Sequence, residues 1–153
     1  MFGKVGKGDK MESLSLIVML GILSVEDIKS HKVRDILVLS FALIGVLMHV
    51  IFQRIGTFDV LGGLGTGVAV LIISKSTGEK IGIGDGLVLM LTGIFLGFWR
   101  NIALIWISTT FLAIYGGIMI IAKKKRKDDR IPYIPFLMAG SLLMLIVGKG
   151  SLS

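Results

Sequence analysis

Two aspartates carry the chemical possibilities of this sequence. Asp85 stands in Gly82-Ile83-Gly84-Asp85-Gly86, a carboxylate with glycine on either side at the mouth of the apolar run 87–99. Asp27 follows an earlier apolar run, 13–25, and precedes Ile28-Lys29. A carboxylate entering hydrocarbon costs at least about 2.5 kcal/mol unless it is neutralised or paired, which makes each one a functional candidate. Two carboxylates within hydrogen-bonding reach cannot both ionise easily, so one pKa rises and the pair shares a proton. The ionised member can then take a proton from water while the protonated one polarises a carbonyl. That chemistry requires no metal, cofactor or covalent intermediate. Gly82 and Gly84 lack Cβ atoms and would let a second backbone approach Asp85, as a site acting on an extended peptide needs.

Other catalytic devices find little support. Cysteine is absent, which removes thiol nucleophiles, disulfides and cysteine metal sites. There is no Gly-x-Ser-x-Gly elbow and no His-Glu-x-x-His pair, and the two histidines, His31 and His49, stand far apart. His49 lies inside an apolar run and reads as a packed residue. The glycines at 62, 63, 65 and 67 are not followed by Lys-Ser/Thr, so they do not form a phosphate loop. Gly63 and Gly67, like Gly93 and Gly97, have the four-residue spacing that lets membrane helices pack closely.

The elements that must position the aspartates are apolar helices. The chain has 153 residues, 54% of them hydrophobic, with a mean hydropathy of +0.88, well above a soluble domain. Six apolar runs, 13–25, 35–52, 60–73, 82–99, 102–122 and 132–147, predict an all-α polytopic membrane protein with six transmembrane helices. Residues 1–12 read as a polar basic tail, 13–148 as the membrane domain and 149–153 as a short C-terminal tail. The first run is short for a bilayer, so extending its helix toward Ser30 would bring Asp27 to the membrane boundary in helical form. Asp35 suits the N-cap of the second helix, and Pro132 and Pro135 suit the first turn of the sixth.

The net charge of +7 lies in loops and tails, which predicts contact with anionic lipid and excludes a nucleic-acid surface. The loops after runs one, three and five hold Lys29, Lys32, Arg34, Lys75, Lys80, Lys123, Lys124, Lys125, Arg126, Lys127 and Arg130. Those are eleven of the seventeen basic residues. The positive-inside rule places these loops in the cytoplasm. Asp27, Asp85 and the Pro132–Pro135 segment then share one membrane side at similar depth.

These residues together resemble the type IV prepilin peptidase family. The resemblance rests on Asp27-Ile28-Lys29, on Glu79-Lys80-Ile81-Gly82-Ile83-Gly84-Asp85 and on Ile131-Pro132-Tyr133-Ile134-Pro135-Phe136-Leu137. One departure is Val33-Arg34-Asp35, where the family commonly shows Ile-Pro-Asn. The resemblance implies an aspartic endopeptidase of the plasma membrane with Asp27 and Asp85 as catalytic residues at the cytoplasmic face. It implies Gly82, Gly84, Glu79, Pro132 and Pro135 at the substrate, no cofactor and no metal. The implied partner is a prepilin-like precursor, of pilin or flagellin type, cleaved where its basic leader meets its apolar helix. The short first loop and the lack of cysteine imply a peptidase without the N-methyltransferase region of longer members.

Two rivals share the aspartates. A presenilin-like intramembrane protease also uses Gly-x-Gly-Asp, but has more spans and a Pro-Ala-Leu segment, neither of which is found here. An ion or solute transporter would place its carboxylates near mid-membrane rather than at one edge.

Overall fold

A computed structural model of the chain describes residues 7–30, 34–52, 55–77, 82–122 and 131–150. Every element among them is helical: α1 (Lys7–Ser30), α2 (Asp35–Phe52), α3 (Thr57–Ser76), α4 (Ile83–Ile121) and α5 (Ile134–Gly150). Of these, α3 and α4 are long and apolar enough to cross a membrane, while α2 and α5 contain shorter apolar stretches. Large apolar side chains face outward, among them Leu39 at 72% exposure and Trp106 at 73%. Where neighbouring lipid is as apolar as leucine, such exposure costs little and close packing holds the helices together.

α4 joins the fourth and fifth apolar runs in one element, which differs from the expected six separate helices. A straight helix of its 39 residues would be about 58 Å long, but Gly97 breaks it with φ 71° and ψ −174°, a region open essentially to glycine alone. Asn101 Nδ2 donates to the Leu89 carbonyl at 3.1 Å although twelve residues separate them. In a continuous helix they would be about 18 Å apart. The chain therefore folds back at Gly97, and α4 is two arms. Gly97 acts as this break rather than as the close-packing position expected from its spacing.

Asn101 ties the fold-back to α3. Its side chain is fully buried and also donates to Thr66 Oγ1 at 2.7 Å, while Thr66 donates to the Gly63 carbonyl at 2.7 Å. Thr92 Oγ1 donates to Asn101 Oδ1 at 2.7 Å. An amide with each group satisfied is tolerable in an apolar interior, and an unsatisfied one is not.

Close backbone approach aligns α3 with the first arm. A Cβ on Gly63 would collide with the Gly93 carbonyl, and one on Gly93 with the Gly63 carbonyl. A Cβ on Gly67 would strike the Met90 backbone, and one on Gly86 the Leu71 side chain. The series Gly63–Gly93, Gly67–Met90 and Leu71–Gly86 is antiparallel, so Asp85 lies at the end where α3 finishes. The second arm returns to that same end. There Gly116 lies beside Ile131, and Tyr115 meets Phe136 at 5.4 Å between ring centroids. α1 runs antiparallel to α5, with Gly21 beside Met138. Leu16, Met19, Leu20 and Leu23 of α1 form the core with Leu91 and Leu104 of α4 and Ile134 and Leu137 of α5.

Several ends differ in detail from expectation. α1 starts at Lys7, inside the stretch read as a polar tail, and reaches Ser30 as expected. Asp35 is the first residue of α2, and the Arg34 carbonyl accepts from the Leu37 N–H at 3.0 Å, so Asp35 sits inside the first turn. Pro135 is the second residue of α5, whereas Pro132 precedes the helix.

Candidate active site

Asp27 lies in the last part of α1 and is only 6% exposed. The extension of α1 through polar residues to Ser30 carries it into the core rather than leaving it in a solvated loop. Its Oδ2 accepts a hydrogen bond from the backbone N–H of Ile134 at 3.2 Å. Ile134 is the first residue of α5, and the first N–H groups of a helix have no partner within it. Pro135 has no N–H to offer, so the Ile134 donor is the one presented at this turn. Asp27 thus sits at the positive end of the α5 dipole. Its neighbour Glu26 faces another way and clasps Arg34, with Arg34 Nε 2.7 Å from Glu26 Oε1, closing the α1–α2 connection. One turn before Asp27 on α1, the buried Ser24 Oγ has no hydrogen-bond partner among the described residues.

Asp85 is the third residue of α4 and lies in its first turn, where the helix dipole favours an acidic side chain. Its N–H donates to the Gly82 carbonyl at 3.1 Å, which starts the helix with a tight turn. Gly82 makes room for the carboxylate: a Cβ there would stand 3.0 Å from Asp85 Oδ2. Gly84 is half-buried in the same turn.

Tyr133 precedes the residue that Asp27 bonds. It lies in the loop before α5, next to Ile134, and its Oη is 3.3 Å from Thr109 Oγ1 on the second arm of α4. Burial pushes its phenol above the ordinary value of 10.0. The hydrogen bond to Thr109 acts in the opposite direction, and the negative charge of Asp85 adds to the rise. Asp27 holds the backbone of the next residue, Ile134.

Asp27, Asp85, Gly82, Gly84, Pro132 and Pro135 thus gather at one end of the helix bundle, both prolines half-buried. Glu79 and the basic run 123–130 lie outside the described residues. Tyr133 and Thr109 were not singled out from the sequence, although Tyr133 lies inside the proline segment that was. No group of three or more metal-ligating side chains occurs among the described residues.

Compared with protein-family models, residues 14–121 match the type IV leader peptidase family. The matched stretch contains both aspartates and ends before Pro132. No curated protein and no solved structure matches the chain.

Proposed function

The chain belongs to the type IV leader peptidase family, and from that premise we propose that it is a membrane aspartic endopeptidase whose water-activating pair is Asp27 and Asp85. The observation that carries this reading is that the buried Asp27 at the end of α1 bonds the first N–H of α5, at the same end of the bundle where Asp85 opens α4. Six membrane-crossing segments follow if the two arms of α4 each span. The excess of basic residues in the loops at the aspartate end then puts the site at the cytoplasmic face.

The substrate proposed is a prepilin-like precursor with a basic cytoplasmic leader and an apolar helix held in the bilayer. In the reaction the ionised aspartate takes a proton from water, and the water oxygen bonds to the scissile carbonyl carbon. The protonated aspartate gives its proton to the carbonyl oxygen. Collapse of the diol breaks the C–N bond: one diol hydroxyl returns its proton to the second aspartate, and the amine leaves with the proton that the first aspartate took. Only three residues separate Ser30 from Arg34, too few for an inserted methyltransferase region in that loop, which supports a peptidase-only form. Both acids lie near helix ends, which disfavours an ion carrier with mid-membrane carboxylates.

The test is co-expression with prepilin-like precursors and detection of leader removal by the shift in precursor size. Wild-type protein is expected to process one of them, and Asp27→Asn and Asp85→Asn each to abolish processing while still inserting in the membrane. Processing that survives either substitution contradicts the pair.

A further inference from the structure

The peptidase reading uses both aspartates but leaves unused a polar side chain at the same end of the bundle. Tyr133 precedes the residue bonded by Asp27, and its hydroxyl is held at 3.3 Å by Thr109, a residue of a different helix. Either oxygen of that pair can donate. When Thr109 donates, the phenol keeps its own hydrogen for a further acceptor. The charge of Asp85 from α4 adds to the rise of the phenol's pKa, and one residue along Asp27 from α1 accepts from the Ile134 N–H. A peptide bond entering between these acids would bring its carbonyl oxygen to the neutral O–H donor that the described part of the loop carries.

We propose that Tyr133 is a third catalytic group of this site, its phenol donating a hydrogen bond to the carbonyl oxygen of the peptide bond under attack. This role rests on the peptidase reading and extends it. As that oxygen gains charge in the transition state, a fixed donor stabilises it more than it stabilises the bound substrate. The raised pKa of the phenol keeps it protonated wherever a shared-proton aspartate pair works. Thr109 fixes the angle of the hydroxyl and is a positioning residue.

Two measurements test this. With purified protein and a synthetic precursor, Tyr133→Phe keeps the ring and removes only the hydroxyl. It is expected to lower kcat on the order of 10²-fold with KM nearly unchanged and thermal stability retained. Wild-type kcat in this variant overturns the proposal, and so does a loss confined to KM. The second measurement needs no substrate. The chain has two tyrosines, so in a Tyr115→Phe background the alkaline absorbance change reports Tyr133 alone. Asp85→Asn is expected to lower its midpoint, and an unmoved midpoint overturns the placement of the phenol beside Asp85. If wild-type protein cleaves no precursor while the midpoint still moves, the peptidase reading falls and takes the donor role with it. If cleavage is normal and Tyr133→Phe is silent, only the donor role falls.

Discussion

Asp27 Oδ2 accepts the backbone N–H of Ile134 at 3.2 Å across 107 residues of sequence. This bond joins the end of the first helix to the beginning of the last. It also fixes one acid of the proposed pair against the start of α5, at the end of the bundle where the other acid opens α4. A hydrogen bond to a charged group contributes about 1.5–3 kcal/mol, and its loss leaves the buried N–H of Ile134 without that partner.

Asp27→Ala and Asp27→Asn are therefore expected to differ in stability, while the proposed pair predicts loss of peptidase activity in both. Alanine removes the acceptor and lowers stability by about 1–3 kcal/mol, whereas asparagine retains a carbonyl oxygen that can accept. Thermal unfolding in detergent micelles reads the difference. Equal melting temperatures for the two variants would show that Asp27 does not anchor α5.

Gly63→Leu and Gly93→Leu are each expected to separate α3 from the first arm of α4. In both cases the new side chain meets backbone that cannot move aside. Overpacking of this kind costs about 1–3 kcal/mol and occasionally more. Gly65 lies on the same helix as Gly63, and a Cβ there would have nothing within 4 Å. Gly65→Ala is therefore the matched control and is expected to be silent. Folded yield and protease resistance in membranes distinguish the three.

Asn101→Leu removes the amide that bonds Thr66, Thr92 and the Leu89 carbonyl. A loss of about 1–3 kcal/mol is expected, with the fold-back loosened around the Leu89 carbonyl, one turn along α4 from Asp85. Leader removal measured below the melting temperature should fall less than the stability does. A complete loss of activity in a stably folded Asn101→Leu protein would place Asn101 in the chemistry instead.

The raised pKa of Tyr133 also fixes the sign of an alkaline effect. Below about pH 10 the phenol is neutral in both folded and unfolded chains and adds no pH dependence. As pH rises from there through the folded-state midpoint, the unfolded chain loses its proton first, and stability falls by at most about 1.4 kcal/mol per pH unit. Tyr133→Phe is expected to flatten this slope in denaturant melts taken between neutral and alkaline pH. An unchanged slope would show that some other group titrates there.

Much of this arrangement was legible in the sequence because apolar runs and special glycines leave a direct imprint. The runs marked the helices, the spacing of Gly63 and Gly67 marked a close contact, and two acids at run ends marked a shared end of the bundle. The fold-back at Gly97 was not legible, since a glycine at packing spacing and a glycine at a helix break look alike until φ is known. Asn101 was missed for a similar reason: its partners Thr66 and Leu89 become neighbours only after that reversal. Tyr133 was hidden inside a segment read for its prolines, and its meaning depends on Thr109 and Asp85, two residues distant in sequence. The clasp of Glu26 by Arg34 was likewise invisible in a stretch read as loop charge.

The most direct test of the central claim is a crosslinking measurement between the two acids. The sequence contains no cysteine, so a double variant, Asp27→Cys with Asp85→Cys, reports on that pair alone. In native membranes a short bifunctional thiol reagent is expected to join the two positions within one chain, as it should join a Thr109→Cys and Tyr133→Cys control pair. Failure to link positions 27 and 85 while the control pair links would contradict a site built from both aspartates.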